Sequence, residues 1–307
     1  MPGSPEYTNS REIPENGTNF QVRGRRDPPE YGAAVSRAHD FDDRYFARLG
    51  AVRDHWWVRG MQDVGAALLG GPATGVRVLD AGAGSGALLP WAHARAAPRP
   101  VVAIDLAAPA MAQCRALGLG TQLAQASSAR LPFRAASFDL VLSSDVLQHL
   151  PAGDDVRAVR EFARVLAPGG RALVRTNCAH GRGHLEQHDD WRLYRPATLR
   201  ALLEAAGLVV DALTPVNLVQ GLWATATRPF ARPDHHDHHD HHDHDAGAAD
   251  DLTDEHRATH GLGIPEPVHP VKNRALLQLL RLEAWFLARP GRRLPFGHSL
   301  YAVARKS

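Results

Sequence analysis

The chain has 307 residues, of which 44% are hydrophobic and 22% charged, an ordinary balance for a protein with a sizeable buried core. With 35 basic and 33 acidic side chains the formal net charge is +2, so no electrostatic footprint for nucleic acid is expected. The two cysteines, Cys114 and Cys178, make no disulfide framework and fit a reducing, cytoplasmic setting.

The N-terminal stretch has no apolar segment of the secretory kind, and no apolar run reaches the roughly 18 residues a spanning helix needs. No membrane partner is therefore expected. Residues 1–30 are rich in Pro, Gly, Asn and charge, and are expected to form a disordered arm. From Tyr31 to Gly70 apolar residues recur at spacings of three and four, which predicts helix.

From Val76 short apolar runs alternate with helical patterns. The runs are VRVLD (76–80), VVAID (101–105), LAQA (123–126), FDLVLSS (138–144) and RALVRT (171–176). The helical stretches between them centre on 87–97, 108–117 and 153–166. This rhythm predicts an α/β fold: a parallel sheet with helices on both faces and right-handed crossovers. After Pro196 come a helix closed by Gly207, a strand at LVVDAL (208–213) and an amphipathic stretch to about Thr227. A helix near Val271–Ala288 and a strand at SLYAVAR (299–305) complete the pattern.

Residues 31–307 are thus expected to be one domain, interrupted by a polar insertion at about 231–263. Within it, 234–245 reads DHHDHHDHHDHD. Its imidazoles, His235, His236, His238, His239, His241, His242 and His244, suit Ni, Zn or Cu, yet a low-complexity tract offers no preformed geometry. A disordered surface loop is the expectation, with metal binding as the alternative.

The segment carrying chemistry is VLDAGAGSG (78–86), a buried strand running into glycines at 82, 84 and 86. Such glycines let backbone pass close to a ligand. A helix expected to start near Ser85 would point free N–H groups at a carboxylate or phosphate. With Ala87 the segment also satisfies the dinucleotide pattern, so it does not by itself choose a cofactor. Asp105 ends the second predicted strand, where a carboxylate can accept both ribose hydroxyls of an adenosine.

Taken together, VLDAGAGSG (78–86), AIDLA (103–107), ARLPFRAASFDLVLSSDVLQHLP (129–151), EFARVLAPGGRALV (161–174) and LEAAGLVV (203–210) resemble the class I methyltransferase superfamily, in its methyltransferase type 11 branch. RDHWWVRG (53–60) looks like that family's helix ahead of the domain, and the terminal SLYAVARKS like its closing antiparallel strand. The resemblance implies a Rossmann-like seven-stranded sheet of order 3-2-1-4-5-7-6 and S-adenosylmethionine as cofactor. It places Asp80, Gly82, Gly84 and Gly86 at the methionyl end, and Asp105 and Leu106 at ribose and adenine. Ser127, Ser128 and Ala129 would face the adenine edge, with Ser127 standing where the family usually carries Asp. Ser143 or Ser144 would lie beside the sulfonium.

The remaining candidates are weighed against ordinary structural roles. His149 follows the fourth predicted strand, where a methyl acceptor should sit, and is the candidate general base; a buried hydrogen bond tying down its loop is the alternative. His180, His184 and His188 recur every four residues near Cys178, but Gly181 and Gly183 argue against a helix there, and a solvated loop is expected. Trp56 and Trp57 could cover the acceptor pocket as an aromatic lid or pack in the core; Trp191, Tyr194 and Trp223 could wall the pocket or be core. The expected activity is methyl transfer to an N, O or C atom of a small molecule, with no nucleic-acid partner. A nicotinamide-dependent oxidoreductase, or a metal-binding protein using the His/Asp tract, is the rival reading.

Overall fold

The computed structural model describes residues 42–70, 74–179, 192–218, 220–222 and 268–307. The expected arm at 1–30, the insertion at 231–263 with its histidines, and His180, His184, His188, Trp191 and Trp223 lie outside those residues.

Strands β1 (Val78–Ala81), β2 (Val102–Asp105), β3 (Gln122–Gln125), β4 (Phe138–Ser144), β5 (Leu166–Asn177), β6 (Leu208–Val216) and β7 (Ser299–Lys306) form one sheet. Its order is β3-β2-β1-β4-β5-β7-β6. β1 is central and pairs in parallel with β2 (Leu79 opposite Val102) and β4 (Leu79 opposite Val141). β7 runs antiparallel between β5 and β6, with Ala302 opposite both Val174 and Leu213.

Helices α1 (Asp43–Ala51), α2 (Trp56–Leu69), α3 (Leu89–Ala96), α4 (Ala108–Ala116), α5 (Asp154–Val165), α6 (Pro196–Ala205) and α7 (Pro270–Leu287) flank it. The single helical stretch expected before Gly70 is two helices in the described part. Asp42 caps the first by accepting from the Tyr45 amide at 2.8 Å, and a turn at 52–55 separates them.

Each face of the sheet carries its own core, because side chains alternate along a strand. On β7, Leu300, Ala302 and Ala304 join Phe138, Phe162, Leu199 and Leu203 under α5 and α6. Tyr301 and Val303 face the other way, joining Met61, Val64, Leu89, Met111 and Leu280 under α2, α3, α4 and α7. Tyr194 is buried in the first core, so of its two expected roles it takes the structural one.

α2 is fixed in place. Its Met61 carbonyl accepts from the Tyr301 hydroxyl at 2.9 Å, its Asp63 pairs with Arg281 at 2.9 Å, and its Trp56 amide donates to Asn273 at 2.7 Å. Gly60 lets α7 come close: a Cβ there would overlap the Leu280 side chain. The tryptophan pair therefore stands in a wall that packs on α7, with Trp57 lining the cleft. Among the described residues, no helix is long and apolar enough to cross a membrane.

Gly60→Ala should destabilise the fold by about 1–3 kcal/mol through overpacking. Adding Leu280→Ala should cost less than it does alone, since the two side chains compete for one space. Urea midpoints of the two single variants and the double variant check this; additive costs would contradict the contact.

Candidate functional site

The parallel order reverses at β1, whose neighbours lead away to opposite edges, and a crevice opens at the carboxyl ends of such strands. Here it is a cleft of about 320 Å3. Its floor is the turn after β1. The amides of Gly82 and Ala83 both donate to the Ile104 carbonyl at 2.9 Å, and the Gly84 amide donates to Asp105 Oδ2 at 2.9 Å. Asp105 Oδ1 accepts from the Ala107 amide at 3.0 Å. On the outer side Arg53 donates to the Ser85 carbonyl and Gln62 to the Ala87 carbonyl, each at 2.8 Å. The helices before the sheet thus brace the loop.

The expected helix start near Ser85 is corrected: α3 begins at Leu89. Gly84 and Gly86 have φ of +54° and +76°, which no right-handed helix accommodates, so turns run on to Leu88. The loop glycines also differ from one another. A Cβ on Gly82 would overlap Val146, and one on Gly86 would press on Leu117 at 2.7 Å. A Cβ on Gly84 would meet only Leu49 Cδ2, at 3.7 Å. Two glycines therefore serve close packing, while Gly84 leaves space on its exposed side.

Gly82, Gly84, Asp105, Leu106, Ser127, Ser128, Ser144 and His149 border the cleft, whereas Asp80, Gly86, Ala129 and Ser143 lie outside its lining. Ser127 Oγ accepts from the Ala129 amide at 3.2 Å, closing a local turn. Asp80 is 1% exposed at the end of β1, and neither carboxyl oxygen has a hydrogen-bond partner among the described residues. Burial first, and the neighbouring Asp105 carboxylate second, raise its pKa from 3.8 to about 7. Burial also raises the Asp105 pKa, against the three backbone amides that hold its charged form.

The other end of the cleft is lined by residues that the sequence reading did not single out: Tyr45, Asp145, Arg175, Asn177 and His298, besides Trp57. Arg175 is buried, forms an ion pair with Asp145, and lies over the Trp57 ring with 4.5 Å to its centroid. Burial works to lower the Arg175 pKa, but Asp145 and Tyr301 outweigh it and the group stays charged. Burial lowers the pKa of both His149 and His298, and the Asp145 charge only partly offsets this. One signal was available: an arginine inside the apolar run RALVRT needs a buried partner. Nothing local in the sequence foretells Asp145, whose φ of +56° arises where β4 ends.

These groups are held from behind. Thr176 Oγ1 donates to Gln148 Oε1 at 2.8 Å, and the Tyr194 hydroxyl lies 2.9 Å from Asp155 Oδ2 and 3.3 Å from the Leu147 carbonyl. These contacts pin the short 3-10 turn Leu147–His149. The buried Glu283 accepts from the Asn217 and Leu218 amides, each at 2.8 Å. The Asn217 carbonyl in turn accepts from the His298 amide at 3.3 Å. Cys178, once considered beside the nearby histidines, is buried in the sheet's core. Among the described residues no three His, Cys, Asp or Glu side chains are grouped to hold a metal.

The family described as "Methyltransferase domain" matches residues 79–174, which run from within β1 to within β5. Residues 79–174 are a class I methyltransferase domain. A malonyl-(acyl-carrier protein) O-methyltransferase of Erwinia billingiae is 39% identical over 104 residues, 33% of this chain and 39% of the relative. A ubiquinone biosynthesis O-methyltransferase of Paracidovorax citrulli is 32% identical over 157 residues, 46% of this chain and 64% of the relative. Both alignments cover less than two thirds of the relative's own length. Among solved structures, a SAM-dependent methyltransferase from Thermotoga maritima matches with a TM-score of 0.51 and 15% identity, covering 88% of this chain and all of that one. The cyclase SpnF matches with a TM-score of 0.50 and 21% identity over 81% of this chain and 80% of its own. These two likenesses concern the fold alone.

In this methyltransferase domain Asp80 should set a pH dependence of stability. Its folded-state pKa exceeds the unfolded value, so the folded state binds the proton more tightly. The cost of burying the charge is absent below about pH 4, grows as pH rises towards 7, and is then constant, at most on the order of 4 kcal/mol. Asp80→Asn should flatten this change between pH 4 and 8, read as urea midpoints of the ligand-free protein. An unchanged pH profile would place the titration elsewhere.

Proposed function

We propose that the chain is an enzyme that transfers a methyl group from S-adenosylmethionine to an N, O or C atom of a small-molecule acceptor. The observation that carries this is the pair of carboxylates around the glycine loop. Asp80 is buried without a donor, and an ammonium group is the complement such an acid lacks. Asp105 keeps lone pairs beyond its amide bonds for ribose hydroxyls. Gly82 and Gly84 line the cleft, Leu106, Ser127 and Ser128 would take the adenine side with Ala129 behind them, and Gly86 supports the turn by packing. Ser143 and Ser144 would stand by the sulfonium.

When bound, the sulfonium supplies a methyl group already activated for attack. The protein's part is alignment and exclusion of water, which together are worth roughly 7–11 kcal/mol for well-oriented reactants. Tyr45, Trp57 and Leu150 close the acceptor end with apolar surface, and Arg175 and Asn177 offer donors that orient it. For a hydroxyl acceptor, His149 Nδ1 or Nε2 would hold the released proton; its lowered pKa keeps the ring neutral at pH 7. A small acceptor agrees with the name of the relative in ubiquinone biosynthesis, while the other named relative acts on a malonyl group borne on a carrier protein. The two buried, unpaired cysteines fit a cytoplasmic setting.

Calorimetry with S-adenosylhomocysteine and with NAD tests the cofactor. The first should bind and the second should not. Asp105→Asn should weaken S-adenosylhomocysteine by one to two decades, about 1.5–3 kcal/mol, with the fold intact by circular dichroism. Undiminished binding by the variant would sink the site assignment.

The base is tested by turnover against pH, with a screen of metabolite extract and radiolabelled methyl donor supplying the acceptor. If His149 takes the proton, the rate rises through a pKa below 6.5 and is level by pH 7. His149→Ala should lose roughly 10²–10⁴-fold in kcat and that inflection. A variant that keeps both would show that the histidine only shapes the cleft.

A further inference from the structure

We propose that the outward face of α7 docks the protein peripherally on an anionic lipid bilayer. The helix is apolar on both sides. Inward, Leu280, Ala284 and Leu287 are buried. Outward, Val271 is 71% exposed, Leu282 61% and Trp285 62%. Positions 271, 275, 278, 282 and 285 follow one line along the helix, and only Gln278 in that line is polar. A surface helix with one face in the core normally turns charged and polar residues to water, so an outward apolar row marks a surface made to be covered.

The charge carried by α7 and the segment after it is mostly of one sign, although Asp63 of α2 and Asp54 just before it lie alongside and pair with Arg281 and Arg59. Residues 268–307 hold eight Lys and Arg and a single acid, Glu283, whose carboxylate is spent inward on two backbone amides. Lys272, Arg274, Arg289, Arg292 and Arg293 are exposed and have no carboxylate partner among the described residues; Arg281 pairs with Asp63. The Arg289 guanidinium lies 3.7 Å from the Trp285 ring centroid and that of Arg292 lies 5.3 Å from the Phe286 ring. One cation thus stacks on Trp285 at the end of the apolar row, and another lies against the neighbouring Phe286. Apolar anchors including tryptophan, with unpaired cations beside them, are the composition of a helix lying in a negatively charged interface.

A second copy fits less well, because two such helices would bring basic residues against basic residues. The balanced net charge of +2 hides all this: the sequence counts charges, while the fold decides where they gather. The helix, though not its outward face, is linked to the cleft wall through α2. Asn273 near the start of α7 accepts from the Trp56 amide, and the next residue, Trp57, lines the cleft wall.

The test is flotation of the full chain with vesicles of phosphatidylcholine alone and of phosphatidylcholine with phosphatidylglycerol, at low and high salt. Binding is expected only with phosphatidylglycerol, and should fall with salt. Arg289→Gln, Arg292→Gln and Arg293→Gln together should weaken it about a hundredfold, at roughly fivefold per basic residue. Leu282→Ser with Trp285→Ser should abolish it. All these positions are exposed, so circular dichroism and S-adenosylhomocysteine binding should match the parent. Failure of the full chain to float would overturn the proposal, as would equal binding to both vesicle types or binding indifferent to both sets of variants. A concentration-dependent dimer broken by Leu282→Ser, without vesicle binding, would assign the face to a second copy instead.

Discussion

Asp105 accepts the Gly84 amide on one oxygen and the Ala107 amide on the other, and this carboxylate fastens the turn after β1 to the turn after β2. Two parallel strands end side by side there, and their last amides would otherwise point into a water-poor cleft without acceptors. The Ile104 carbonyl takes the Gly82 and Ala83 amides in the same way. With the backbone satisfied from β2, the loop can hold left-handed conformations at three glycines and still keep one shape. Arg53 and Gln62 reach the loop's carbonyls from outside, so the turn at 52–55 and α2 depend on the same loop that the cleft depends on.

At the opposite end of the cleft a second electrostatic arrangement sets the chemistry. Arg175 is a charge inside the sheet, tolerated because Asp145 pairs with it and the Trp57 face lies against it. This pair fixes the field in which His149 and His298 sit. Burial drives both imidazoles towards the neutral form, and the Asp145 carboxylate limits how far. The result is an end with neutral acceptors and one neutralised cation, against an opposite end with two carboxylates of raised pKa. Such a division suits a ligand that carries positive charge at one end only.

Much of the cleft's lining was legible in the sequence, and the reason is local. Gly82, Gly84, Asp105, Leu106, Ser127, Ser128 and Ser144 lie within a few residues of strand ends, and strand ends converge in a parallel sheet wherever the crossovers are right-handed. Position along the chain therefore translated into position in space. Tyr45, Arg175 and His298 were not legible, because they reach the cleft from α1, from the body of β5 and from the loop before β7. Their convergence depends on which edge β7 inserts into and on how Glu283 and Asn217 hold the chain before it.

By itself the sequence determined the alternation of strand and helix, the seven-stranded order through its family resemblance, and the acid-bearing glycine turn. These follow from hydrophobic period and from backbone conformations that few residues other than glycine accept. The tertiary structure alone decided that Gly86 only packs, under Leu117, while Gly82 packs against Val146 and also borders the cleft with Gly84. It also decided that the tryptophan pair stands in a wall packed on α7, and that the cations of 268–307 gather beside an uncovered apolar row. Contacts between distant segments are set by the packing of whole layers, and no local pattern in the chain encodes them.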